Sequence, residues 1–223
     1  MIEELNELFE STTIKPTFDY VHIILALYIF EKNPEGIGRY RLKKDLLIGS
    51  GTARSLITKL NEKTNFIKVV DENSRKGHIL TETGLKFLNK IKKKIPIIEE
   101  GDLSVLKDII IDFTNTFPYY CLIKDAAHKI TNGIAQRDAA IKINGTGATC
   151  LIYDGKNLIF PSRSFSESDE NLMKIEENVQ KYFKTQILEA NLKLEKNDVI
   201  IIGLGASLET ARLVALNSAL TLI

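Results

Sequence analysis

The stretch that most constrains the fold is Thr52 to Lys63, where Ala53, Leu56, Ile57 and Leu60 fall at i, i+3, i+4 and i+7. That spacing draws one apolar stripe along a helix and requires a core to receive it. The opposite face carries Thr52, Arg54, Ser55, Thr58 and Lys59, all able to hydrogen-bond and none acidic. Before this helix lies a short amphipathic segment, Arg39 to Leu47, and a tight polar break, Ile48-Gly49-Ser50-Gly51. After it come two β-prone runs, Phe66 to Val70 and His78 to Leu80, joined by the polar, basic tip Asp71-Glu72-Asn73-Ser74-Arg75-Lys76-Gly77, as a hairpin requires. Leu80-Thr81-Glu82-Thr83-Gly84-Leu85-Lys86-Phe87-Leu88 then re-enters a helix.

Helix, turn, helix, hairpin and helix in this order predict a winged helix-turn-helix. Thr17 to Glu31, apolar over most of its surface, supplies the buried first helix and ends at Asn33-Pro34-Glu35-Gly36. A short amphipathic helix, Met1 to Glu10, precedes it, with Ser11 to Pro16 as a linker. Leu85, Leu88, Ile91 and Ile95 mark a last helix that stops at Pro96 and carries Lys86, Lys90, Lys92, Lys93 and Lys94 outside. A solvated face explains those lysines as well as a phosphate contact does.

Charge separates the chain into parts. The whole is nearly neutral, at +1, yet residues 16–95 hold 16 Lys and Arg against 8 Asp and Glu, while residues 96–223 hold 13 against 17. A basic part beside an acidic one predicts that the first part meets a polyanion. The expected partner is double-stranded DNA. The predicted contacts are Ser50, Gly51, Thr52, Arg54, Ser55, Thr58 and Lys59 from the helix, and Arg75 and Lys76 from the wing. Gly49, Ser50 and Gly51 leave the helix start uncluttered for a phosphate. Arg54 suits bidentate capture of a guanine in the major groove, and the short hydroxyls suit a phosphate, a base edge or a thymine methyl. Arg75 and Lys76 suit the backbone or the minor groove. The competing reading is a winged helix used for protein contact alone.

Gly49-Ser50-Gly51-Thr52-Ala53-Arg54-Ser55-Leu56 followed by Leu80-Thr81-Glu82-Thr83-Gly84-Leu85 resembles the winged-helix transcription regulators of archaea and bacteria over roughly residues 17–95. With Ala139-Ala140-Ile141-Lys142-Ile143 and the terminal Gly203-Leu204-Gly205-Ala206, the full chain resembles a small group of archaeal predicted transcription factors whose C-terminal domain is uncharacterised. The resemblance implies a sequence-specific transcription regulator. It supplies no ligand and no site residues.

The fold class expected is α+β: a winged helix-turn-helix domain over 1–96, then a small α+β domain over 97–223 with a largely antiparallel sheet. The boundary falls near Pro96 to Gly101. In the second domain Asp102 to Asp112, Asp125 to Thr131, Glu167 to Ala190 and a last stretch to about Leu220 read as helices. Tyr119 to Ile123, Asp138 to Ile143, Ala148 to Tyr153, Leu158 to Phe160 and Val199 to Ile202 read as strands. Asn144-Gly145-Thr146-Gly147 and Asp154-Gly155-Lys156-Asn157 read as turns, the second closing a hairpin. Gly203-x-Gly205-Ala206-Ser207 between the last strand and last helix has three readings. One is a plain structural turn; the second is a backbone cradle in which Gly203, Gly205, Ala206 and Ser207 hold an anionic effector; the third is the anion site of a nucleotide-dependent enzyme. A full dinucleotide fingerprint is absent, because Leu208 stands where a third glycine belongs and no strand follows.

His22, His78 and His128 are isolated, so neither a metal site nor a catalytic triad is expected, and no cofactor. Cys121 and Cys150 show no ligand spacing and read as reduced, buried thiols of a cytoplasmic protein. The longest apolar run, Val21 to Phe30, is too short to span a bilayer, and no secretory signal opens the chain. One recognition helix reads too few base pairs for a unique address, so a homodimer is expected, joined through helices 167–190 and 206–220. The alternative function is a small-molecule enzyme acting on a nucleotide or metabolite, with the winged helix as an autoregulatory module.

Overall fold

The computed structural model describes residues 2–10, 16–70, 77–110, 114–161 and 175–223. The chain is α+β and divides into two compact units, Met1–Lys92 and Lys93–Ile223.

In the first unit a 3-10 helix, Ile2–Phe9, precedes α1 (Tyr20–Glu31), α2 (Arg39–Asp45), α3 (Ser50–Glu62), the antiparallel hairpin β1 (Ile67–Val69) and β2 (His78–Leu80), and α4 (Glu82–Lys94). α1 is apolar all round because it is the core: nine of its residues, from Val21 to Phe30, are buried. Ala53, Leu56, Ile57 and Leu60 of α3 and Phe87, Leu88 and Ile91 of α4 are buried with them. The turn between α2 and α3 is made by Leu47, which takes a left-handed φ of 55°. Gly77, at φ 88°, admits no side chain, since a Cβ there would sit 2.3 Å from the Ile37 carbonyl oxygen. That closeness lets Ile37 bridge His78 as a third extended segment beside the hairpin, each N–H donating to the other's carbonyl at 3.0 Å.

The Leu80-to-Leu85 motif has a physical explanation. The Thr81 hydroxyl donates to the Asn65 carbonyl at 2.6 Å and accepts from the Gly84 N–H at 3.1 Å, capping α4. Gly84 is required because a Cβ would lie 2.2 Å from the Phe66 carbonyl oxygen.

The second unit is built on one five-stranded antiparallel sheet in the order β3-β4-β7-β5-β6. Its strands are β3 (Ile97–Glu100), β4 (Phe117–Ile123), β5 (Gly147–Tyr153), β6 (Leu158–Ile159) and β7 (Val199–Gly205). The last strand is central, paired with β4 and β5 along nearly its whole length. Helices α5 (Leu103–Leu106), α6 (Ile134–Lys142), α7 (Glu177–Glu189) and α8 (Leu208–Leu220) cover it. One face packs on α8, with α6 beside it. Val179, Phe183 and Ile187 of α7 share a core with Tyr120, Leu122, Ile200, Ile202 and Leu204 of the sheet.

Several expectations for this unit are corrected. Of residues 138–143, expected as a strand, 138–142 lie in a helix, α6, with Ile143 at its C-cap, because Gln136 and Ala140 form its buried side and Ile141 is exposed. Residues 97–100, expected at the domain boundary, form the edge strand β3, paired with β4. Of the helix expected over 102–112, the described residues form α5 and a 3-10 turn, Lys107–Ile109, and residues 111–112 lie outside the described residues; the helix expected over 125–131 shrinks to the 3-10 turn Ala127–Lys129. The final strand runs on through Gly203 and Gly205. Of the expected helix 167–190, residues 167–174 lie outside the described residues.

Candidate nucleic-acid interface

α3 buries its apolar stripe and turns Ser50, Gly51, Arg54 and Thr58 fully outward, with Thr52, Ser55 and Lys59 half-buried beside them. Gly49 stands at its N-cap with no side-chain hydrogen bond capping it, and Gly49, Ser50 and Gly51 are exposed, which leaves the positive end of the helix without a side-chain partner. The surface is not wholly free. The Thr52 hydroxyl is 2.6 Å from that of Thr17, and Lys59 Nζ donates to the Glu10 carbonyl at 2.8 Å. Both contacts tie the segment before α1 to the helix, so Thr52 and Lys59 must exchange a partner to meet DNA. Arg54 carries no such tie among the described residues. Arg75 and Lys76 of the wing tip lie outside the described residues.

The site list from the sequence omits α2. In seven residues it holds Arg39, Arg41, Lys43 and Lys44, and exposed Tyr40 lies under the Arg39 guanidinium, 5.2 Å from its ring centre. Four cations in one short helix beside the turn were a signal available in the sequence. The lysines of α4 tend the other way: Lys90 pairs with Glu4 at 3.0 Å, and Lys92 pairs with Glu31 while lying over the Tyr28 ring. For those two the structural reading holds.

Two histidines of this unit are held toward their neutral form. Burial lowers the pKa of His22, whose Nδ1 accepts the Asp19 N–H at 2.9 Å. Burial also lowers that of His78, which opens β2 opposite Val69 and whose Nδ1 has no partner among the described residues. Neither histidine adds positive charge near neutral pH.

In the second unit Gly203 and Gly205 lie inside β7, facing α8. A Cβ at Gly203 would fall 2.2 Å from the Ala215 nitrogen, and one at Gly205 2.6 Å from the Ala211 nitrogen. The glycines are there so that helix and strand can touch. Ser207 caps α8 itself, its Oγ accepting the Thr210 N–H at 3.2 Å. Ala206 borders an open cleft of about 890 Å³, whose lining includes Glu100, Asp102, Thr116, Phe117, Tyr182 and Gln186. An anion there would face two carboxylates, one of them, Asp102, held low in pKa by its hydrogen bonds from Ser104.

Cys121 and Cys150 are buried and flank Ile201 across β4-β7-β5, so a strand separates them and no disulfide can form. Burial raises both thiols, Cys150 to about 12, which leaves neither a nucleophile. Among the described residues no group of three or more His, Cys, Asp or Glu is placed to hold a metal ion. Among them, too, no helix is long and apolar enough to cross a membrane.

No curated protein matches the chain. A hypothetical protein from Pyrococcus horikoshii OT3 has a similar fold, with a TM-score of 0.63 and 22% identity over 91% of each chain. Residues 114–222, most of the second unit, match the family model described as Domain of unknown function (DUF4443).

Proposed function

We propose that the chain is a sequence-specific DNA-binding transcription regulator that acts as a homodimer, its first unit a winged helix-turn-helix. The observation that carries this reading is α3: a helix uncapped at its start, apolar face buried, presenting Ser50, Gly51, Arg54 and Thr58 to solvent. The excess of cations over residues 16–95 and the basic helix α2 support it. In this reading α3 enters the major groove, Arg54 reads a base, and Arg39, Arg41, Lys44 and the wing follow the phosphates. The reading includes no anionic effector at Gly203 and Gly205, whose inner faces are covered by α8.

Duplex binding tests it. With about four to six phosphate contacts, the log–log slope of affinity against salt is roughly −4 to −5. Arg54→Ala costs specific DNA about 1–3 kcal/mol and leaves a random duplex almost unaffected. Arg39→Ala with Arg41→Ala weakens all duplexes alike. Affinity that is flat in salt, or absent at low salt, refutes the reading.

A further inference from the structure

We propose that α6 is the surface through which two copies of this chain associate, the two helices packing antiparallel about a two-fold axis. The proposal rests on the dimeric reading above and names its contact. The apolar stripes expected to form it are engaged elsewhere: α8 has seven buried residues, and Val179, Phe183 and Ile187 of α7 lie in the core, although Leu188 on its other side is exposed.

α6 is different. Its inner side is held by buried Gln136 and Ala140, with Gln136 Nε2 donating to Thr221 Oγ1 at 2.7 Å and Ser218 Oγ donating to the Gln136 carbonyl at 2.9 Å. Its outer side leaves Ile134 45% and Ile141 54% exposed. Seven residues apart, these two lie nearly one above the other. Arg137 and Asp138 sit on the same face between them, touching at 3.3 Å, an exposed contact worth little in itself.

The occupant follows from self-complementarity. In two identical antiparallel helices, a residue a given number of positions after one site faces the residue the same number of positions before that site's partner. Arg137 lies three residues after Ile134, and Asp138 three before Ile141. The axis that sets Ile134 against Ile141 of the second copy therefore also sets Arg137 against that copy's Asp138. One register matches two apolar pairs and two ion pairs, as an isologous contact requires. A face of this size belongs with weak interfaces, those under about 1,200 Å², so it joins subunits that DNA also holds together.

The test is cross-linking without DNA. Ile134→Cys and Ile141→Cys are introduced together in the full chain, whose own cysteines are buried. Mild oxidation is expected to give a covalent dimer at least tenfold faster than in either single variant. Identical single cysteines would be offset by about 10 Å along the helices, and the same separation prevents a bridge within one helix. A double variant that stays monomeric, or singles that cross-link equally fast, overturns the proposal. Sedimentation gives a second reading: at about 100 µM protein, Arg137→Asp weakens association about tenfold and adding Asp138→Arg restores it, as swapped charges must across a two-fold axis. No weakening, or no restoration, also overturns it. Neither readout involves DNA, so failure here leaves the Arg54 test standing, and the converse holds.

Discussion

Replacing Gly203 with alanine tests why the Gly203-x-Gly205 segment exists. The added Cβ would lie 2.2 Å from the Ala215 nitrogen and 2.5 Å from its Cα, against an ordinary contact beginning at 3.4 Å. The obstacle is helix backbone, which cannot rotate away as a side chain can. β7 is pinned between β4 and β5, so α8 must move outward by roughly 1 Å or more. A gap of that size forfeits a quarter to a half of each dispersion contact it opens, and the contacts at risk are those of Ala211, Val214, Ala215 and Ala219. The expected cost is at the top of the overpacking range, about 3 kcal/mol. With a urea slope of about 2 kcal/mol/M, the midpoint falls by about 1.5 M. Gly147→Ala, on the neighbouring strand, is the control, since nothing lies within 4 Å of its Cβ position; it should change stability by less than about 0.5 kcal/mol. A Gly203→Ala protein as stable as that control refutes the close-packing argument and revives an open backbone cradle.

Three further outcomes follow from single sites. Buried Asp198 accepts from Lys124 Nζ at 2.6 Å and from the Asp125 and Glu195 N–H groups at 3.1 and 2.8 Å. Asp198→Ala should therefore cost about 3 kcal/mol in chemical denaturation, the low end for a broken buried pair because Lys124 is part-exposed. His22 and His78 have folded pKa values below the ordinary 6.5, so the unfolded chain binds more protons. Their stabilising effect is complete above pH 6.5 and is lost as pH falls, at up to about 1.4 kcal/mol per unit for each histidine; His78→Gln should flatten that slope. Leu47 holds a left-handed φ and is 53% exposed, so Leu47→Asn should raise stability by about 1 kcal/mol, and a loss would show that the side chain matters more than the strain.

The first unit was the more legible in the sequence because its signals are local. Ala53, Leu56, Ile57 and Leu60 announce their face by spacing, Thr81 and Gly84 announce a cap and a close approach, and the hairpin is short-range. The second unit hid its structure in small and polar core residues. α6 buries Gln136 and Ala140, which carry almost no hydrophobic signal, while exposed Ile141, between Ala139 and Ile143, imitates strand alternation. β3 is a four-residue edge strand ending in two glutamates, and only pairing with β4 makes it a strand. Gly203 and Gly205 look like a turn in one dimension and act as a groove in three. The same reversal governs the interface. At Thr52 and Lys59 the sequence displays hydrogen-bonding capacity without displaying the segment around Glu10 and Thr17 that already uses it. Arg54 stands apart from those contacts, and for that reason the base reading proposed above rests on it first.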